Sequence, residues 1–346
     1  MPAAVEVHRL SKSFRVRDRA PGFLGSIRHA ISPRTREVSA VAEVSFSIAA
    51  GERVAFVGPN GAGKSTTLKM LTGIHHPTSG EARVLGLVPW QDRTALGYRV
   101  GTVFGQRSQL WWHLPPKDTF SLLQKVYDQD PAAHRERLAR LVSAFRLEGL
   151  LDKPVRQLSL GERMRCEITA SLLHAPELLV LDEPTIGLDV SAKAVIRDLV
   201  RERSEADGCT VFLASHDTGD MERVCDRVLV IHRGRLLFDE RVAALRRTYI
   251  RRKVVTLLTA EPAIDLALPG VVVRERAPHR TVLEVDTATT PVEAVVQAAL
   301  KASRLDDLSV EDPPMEEIVK ALYAAAEASS PSPDAPVPSS RPGRTP

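Results

Sequence analysis

Gly58-Pro59-Asn60-Gly61-Ala62-Gly63-Lys64-Ser65-Thr66 is a complete G-x-x-x-x-G-K-[ST] loop, preceded by the apolar run Val54-Ala55-Phe56-Val57 and followed by Thr67-Leu68-Lys69-Met70-Leu71. Strand, Gly-rich turn and helix in that order turn a pattern into a phosphate-binding loop. Small residues let the backbone fold back tightly, so that several N–H groups point inward at the β-phosphate while the helix N-terminus adds partial positive charge. The reading predicts a bound nucleoside triphosphate, with Lys64 on the β- and γ-phosphates and the Ser65 hydroxyl on a magnesium ion.

The loop alone does not separate a kinase, a GTPase, a helicase and a transport ATPase. Further on, Leu178-Leu179-Val180-Leu181-Asp182-Glu183 is an apolar run ending in two carboxylates, and Pro184-Thr185 stops it there. Such a run predicts a buried parallel strand that delivers both acids to its C-terminal edge, where open α/β sheets bind ligands. Asp182 is then a magnesium holder, and Glu183 is free to act as general base on an attacking water. His216 follows the strand-like Thr210-Val211-Phe212-Leu213-Ala214 and reaches the same edge as a γ-phosphate contact.

Between these pieces lies Leu158-Ser159-Leu160-Gly161-Glu162-Arg163. Ser159 and Glu162 stand in the S-x-x-E relation of a capping box, predicting a helix that continues through Met164, Ile168 and Leu172. The stretch also resembles the LSGGQ signature of ATP-binding-cassette (ABC) ATPases. Gln106, after Val103-Phe104-Gly105, resembles the family's Q-loop glutamine, Gly187-Leu188-Asp189 its D-loop, and His216 its switch histidine. The resemblance spans roughly residues 4 to 240, and Phe104 to Leu114 is similar to drug- and polysaccharide-exporter ATPases that pair with separate permease chains.

That resemblance implies an α/β fold of the ABC type of P-loop NTPase: a RecA-like core, an antiparallel β edge and a helical subdomain. It implies ATP and Mg2+ as ligands, the latter on Ser65, Gln106 and Asp182. It implies a homodimer in which Ser159 and the Gly161 amide cover the γ-phosphate held by the other subunit's loop, with Glu162 and Asp189 also among the nucleotide-binding residues. Lys64, Gln106, Glu183 and His216 are the implied catalytic set, and Phe14 takes the place of an adenine-stacking ring. Leu160 and Glu162 depart from the signature's Gly and Gln, Ile186 from a common D-loop Ser, and Phe14 from a common Tyr. Transmembrane permeases are the implied partners, and no nucleic acid. The expected place is the cytoplasmic face of the membrane, peripherally through the permease. The alternative is a soluble, non-transport ABC ATPase acting on the ribosome or nucleic acid, which normally carries two cassettes; one loop and one signature occur here.

The remaining sequence sets the frame. At 346 residues, 43% hydrophobic and with a net charge of +4, the chain predicts a globular protein with a sizeable core. No stretch approaches the roughly 18 to 20 apolar residues of a membrane span, and Met1-Pro2-Ala3-Ala4-Val5-Glu6 lacks a charged region before an apolar block, so a soluble cytoplasmic chain is expected. Cys166, Cys209 and Cys225 are odd in number and dispersed, predicting buried hydrophobes and not a disulfide framework. The expected ABC unit covers 1–246, with a helical subdomain at about 107–176. A long insertion at 15–39 holds six arginines and the apolar Phe23, Leu24 and Ile27. It reads equally as a basic amphipathic element at a membrane or permease, or as a solvated loop. Trp111 and Trp112 stand at the subdomain's entrance as core or as interface anchors. Strand-like Val254–Leu258, Val271–Val273 and Thr281–Val285, with helix-like 291–302 and 315–326, predict a small α+β accessory domain over 247–328. The Ser/Pro-rich tail 329–346 is expected to be disordered.

Overall fold

The computed structural model describes residues 3–17, 35–105, 108–249, 252–262, 264, 266–312 and 315–329. Most of the expected basic insertion, Gln106 and all but the first residue of the 329–346 tail fall outside the described residues.

Six strands form the central sheet: β3 (Arg53–Val57), β5 (Val100–Phe104), β6 (Leu178–Asp182), β7 (Thr210–Ser215), β8 (Arg227–His232) and β9 (Arg235–Arg241). Their order is β5-β6-β7-β3-β8-β9, parallel throughout except for β9, which turns back on β8. Beside it stands an antiparallel sheet of β1 (Ala3–Arg17), β2 (Thr35–Ala49) and β4 (Ser79–Val84), ordered β2-β1-β4. The mixed α/β fold expected from the motifs is therefore present.

Apolar runs without alternation are the mark of strands buried on both faces, and the packing shows why. Val54, Phe56, Val180, Phe212 and Ala214 face the antiparallel sheet, in one core with Val5, Val7 and Ile48. Their neighbours Ala55, Leu179, Leu181, Val211 and Leu213 face the other way, into a core shared with the helices. Phe46, Phe56 and Phe212 form a ring cluster with centroids 5.4 to 6.1 Å apart. Each such side chain withdrawn from water stabilises the fold by about 1.5–3 kcal/mol.

Strand β1 runs further than the sequence suggested. Pairing with β2 persists through Phe14↔Val38, Arg15↔Glu37 and Arg17↔Thr35, so both flanks of the insertion are hairpin strands, not loop. Opposite charges at Arg15 and Glu37 face each other across the ladder, which favours that extension.

Helices α1 (Lys64–Leu71) and α2 (Arg93–Gly97) follow β3 and β4, and the helical segment then comprises α3 (Pro116–Val126), α4 (Pro131–Phe145) and α5 (Leu160–Leu172). Asp130 caps α4, accepting from the backbone N–H of Ala132 and Ala133, and Pro131 occupies its first turn. Phe120 and Phe145 are fully buried, and Val126, the last residue of α3, is half exposed. Just beyond α5, His174 stacks flat on Tyr127, centroids 4.0 Å apart, and Tyr98 meets Tyr127 edge-on. These rings join the helical segment to the sheet. The three cysteines are buried and free, and burial pushes their thiols up.

After α6 (Val190–Asp207), α7 (Thr218–Val224) and α8 (Val242–Tyr249), a second unit carries β10 (Arg252–Thr259), β11 (Val271–Ala277), β12 (Arg280–Asp286), α9 (Val292–Ala302) and β13 (Leu305–Glu311). Its antiparallel sheet, β11-β12-β10-β13, has its own core of Val255, Leu257, Leu283 and Val285 beneath Val295 and Ala299 of α9. Strand β13 was not expected, because Leu305-Asp306-Asp307-Leu308 hides its pattern under acids. The last helix, α10 (Met315–Ser329), packs across to the first unit: Met315, Ile318, Val319 and Leu322 lie in the large core of the central sheet. Tyr323 also stacks on His232, centroids 5.3 Å apart.

Two outcomes test this packing. Ile318→Ala should cost about 2–4 kcal/mol in denaturant unfolding, whereas Leu300→Ala, on the exposed side of α9, should cost under about 0.5 kcal/mol; equal small effects would detach α10 from the core. Burial also pushes the His174 imidazole down to about 4. The unfolded chain protonates this ring near its usual 6.5 and the folded chain resists, so stability should fall as pH drops from 6.5 toward 4. The loss amounts to about 3 kcal/mol at most, and His174→Phe should flatten that part of the profile.

Candidate functional site

Strand β3 runs straight into the Gly-rich turn, and two of its glycines are there for want of room. A Cβ on Gly58 would lie 2.4 Å from the Ile231 carbonyl oxygen, and one on Gly63, at φ +107°, would lie 2.5 Å from that of Ala40. The chain can therefore close only with bare backbone at both positions. Lys64 opens α1, is almost wholly buried, and arches back so that Nζ donates to the Gly58 carbonyl at 2.6 Å and to that of Pro59 at 3.4 Å. Ser65 Oγ donates to Asp182 Oδ1 at 3.0 Å.

Around this turn lies a cavity of about 820 Å3 lined by Phe14, Ala40, residues 59–66, Lys69, Ile74, His75, Phe104, Gly105, Asp182, Glu183 and Ile186. Its two ends differ chemically. At one, the half-buried Phe14 ring meets His75 edge-on at 5.7 Å, with Lys12 Nζ 5.2 Å from its centroid. At the other stand the carboxylates of Asp182 and Glu183. Lys69 and His75 were missed in the sequence; Lys69 was legible, since it lies one helical turn beyond Ser65.

Parallel pairing of β6 with β7 sets the acids against His216. The Glu183 backbone N–H donates to the Ala214 carbonyl, and Glu183 itself sits at φ +55°, an angle uncommon outside glycine. Its Oε1 is 3.2 Å from Lys64 Nζ, and its Oε2 is 2.6 Å from His216 Nδ1. Burial pushes the Asp182 carboxyl up, with the Ser65 hydrogen bond opposing. Lys64, Ser65, Asp182, Glu183 and His216 thus form one connected set at the sheet's edge.

Ser159, Gly161, Glu162 and Asp189 do not line that cavity. Ser159 caps α5 in the expected capping box: the Glu162 N–H donates to Ser159 Oγ at 3.2 Å, and the Ser159 N–H to Glu162 Oε2 at 2.8 Å. That backbone N–H, accepted by the Glu162 carboxylate, holds its carboxyl below the usual range. Asp189 caps α6 by accepting from the Ala192 N–H at 2.8 Å. The two stretches abut: Gly161 lies against Ala192, and Gly187 against Leu160. Trp111 and Trp112, left open between core and interface, are each about half exposed, at 48% and 50%.

A family model described as ABC transporter matches residues 41–186. Over 221 residues the chain is 35% identical to the Nod factor export ATP-binding protein I of Burkholderia orbicola, covering 64% of this chain and 72% of that protein. The chain belongs to the ABC transporter ATP-binding family. It is also 34% identical over 205 residues to a probable multidrug ABC transporter ATP-binding protein of Escherichia coli, covering 58% of this chain but only 34% of that protein. Among solved structures, an ATP-binding subunit of an ABC transporter superposes with a TM-score of 0.58 at 26% identity, covering 71% of this chain and 93% of that one. A dimeric ATP-binding cassette with ADP and phosphate shares the fold, with a TM-score of 0.57 at 24% identity and coverage of 69% and 98%. As a member of the family, the chain is an ATP-binding ATPase.

Proposed function

We propose that this ABC ATPase powers an exporter, working as a homodimer on separate transmembrane permease chains at the cytoplasmic face of the membrane. The observation that carries the chemistry is the position of Glu183, with one carboxylate oxygen on Lys64 and the other on His216, at the mouth of the phosphate-loop cavity. The exporter reading is supported by the names of the Nod factor and multidrug relatives, and by the exposed Trp111-Trp112 pair at the entrance to the helical segment. No described helix is long and apolar enough to cross a membrane, which agrees with a subunit that borrows its membrane path from partners.

In this reading, ATP lays its adenine against Phe14 and its phosphates in the loop from Gly58 to Thr66, with Lys64 on the β- and γ-phosphates. Glu183 takes a proton from water as the water oxygen attacks the γ-phosphorus and ADP leaves. His216, bonded to the same carboxylate, orients it. The donor set suits magnesium: a hydroxyl and a carboxylate 3.0 Å apart, at Ser65 and Asp182, are hard oxygen ligands, and Gln106 joins them by family resemblance. Bound there, the ion would neutralise charge on the phosphates. Ser159, Gly161, Glu162 and Asp189, away from the cavity of their own chain, serve the partner's site, so that ATP binding draws two copies together.

Glu183→Gln should leave ATP affinity within about twofold and lower turnover by about 10²-fold or more, read by nucleotide titration beside a phosphate-release assay; near-normal turnover removes Glu183 from this role. Phe14→Ala should weaken ATP binding by about five- to fiftyfold with little change in turnover at saturation, and an unchanged dissociation constant would clear the ring of any stacking.

A further inference from the structure

We propose that Glu167 is a positioning residue: it latches the chain leaving β5 onto α5, so that the segment following Gln106 and the helix that begins at Ser159 move as one piece. This rests on the reading above, in which both ends of that connection serve ATP hydrolysis.

Glu167 lies in mid-helix, is 5% exposed, and carries its carboxylate in among the apolar side chains of α5. Nothing in helix formation or core packing calls for an acid there, and burying one costs several kcal/mol unless its oxygens are satisfied. They are satisfied by a single stretch. The Ser108 hydroxyl donates to Oε1 in a short contact, and the Gln109 backbone N–H donates to Oε2 at 3.2 Å. The Gln109 side-chain amide donates in turn to the Glu167 backbone carbonyl at 3.0 Å. Ser108 Oγ also accepts from the Leu110 N–H at 3.1 Å, which locks the turn against the helix. One helical turn earlier, the Arg163 guanidinium lies 5.7 Å from the Trp112 ring centroid. Residues 108–112 are thus fastened at two successive turns of α5. Ser108 is two residues from Gln106, and Ser159 is about 12 Å up the helix from Glu167 at the usual rise, so a shift at one end is carried rigidly to the other. Burial pushes the Glu167 carboxyl up, so a neutral amide is a close chemical substitute.

The full-length chain is assayed for kcat, for the ATP dissociation constant, and for hydrogen exchange at the Gln109 and Leu110 amides. Glu167→Ala should lower kcat by about tenfold or more, leave ATP binding within twofold, and speed exchange at both amides by about tenfold. Glu167→Gln should keep more than about half of kcat, because its amide oxygen still accepts from Gln109 and its NH2 donates to Ser108 Oγ. Ser108→Ala should lower kcat in the same direction, and the double variant with Glu167→Ala should be no worse than Glu167→Ala alone. Unchanged kcat in Glu167→Ala, losses that multiply in the double variant, or affinity falling in step with kcat would each overturn the latch. If Glu167→Ala does not fold, Ser108→Ala and Gln109→Ala make the same comparison from the other side. A wild-type chain without ATPase activity would sink the functional reading, whereas hydrogen exchange tests the latch regardless of activity.

Discussion

Glu183 stands at a left-handed backbone angle immediately after a buried strand, and both of its carboxylate oxygens are committed, one to Lys64 and one to His216. Such an angle costs a non-glycine residue about 1–3 kcal/mol and persists only where its surroundings over-determine it. Here they do. The Glu183 N–H is tied to Ala214 of the neighbouring strand, and the strand order β6-β7-β3 places the ends carrying Glu183, His216 and Lys64 side by side. Two hydrophobic layers, one on each face of the sheet, hold those ends in register.

The same constraint divides the chain's chemistry in two. Phosphate loop, acids and aromatic wall line one cavity, with His216 bonded to Glu183 beside it, whereas the stretches of the α5 capping box and Asp189 do not line it and abut each other. Each half is stabilised for its own reasons. The first depends on bare glycines and buried strand ends; the second on side chains that satisfy the free N–H groups of two helix starts.

The second unit is joined to the first by packing as well as by sequence. Helix α10 gives its apolar stripe to the large core, and Tyr323 stacks on His232. His232 directly follows Ile231, the residue whose carbonyl leaves no room for a side chain at Gly58. Arg274 ties the same helix to the accessory sheet, pairing with Glu317 of α10 and Glu284 of β12.

Local signals were sufficient wherever one stretch of chain carries its own physical reason. The glycine spacing around Lys64, the apolar run ending in Asp182-Glu183 and the S-x-x-E box at Ser159 each dictate the local backbone within a few residues, and the structure has the turn, the strand end and the capped helix as read. What the sequence could not determine was set by partners distant along the chain. Arg15 and Val16 read as loop, because pairing with Glu37 and Arg36 requires the two flanks to meet. Residues 315–326 read as helical, but a helical stripe does not name the core it will fill. Glu167 carries no local signal of its role: only packing brings Ser108 and Gln109, 59 and 58 residues away, onto its carboxylate. Periodicity fixes which face of an element is apolar, and capping fixes where it starts; which surfaces meet is decided by burial across the whole chain, and only the folded molecule holds that information.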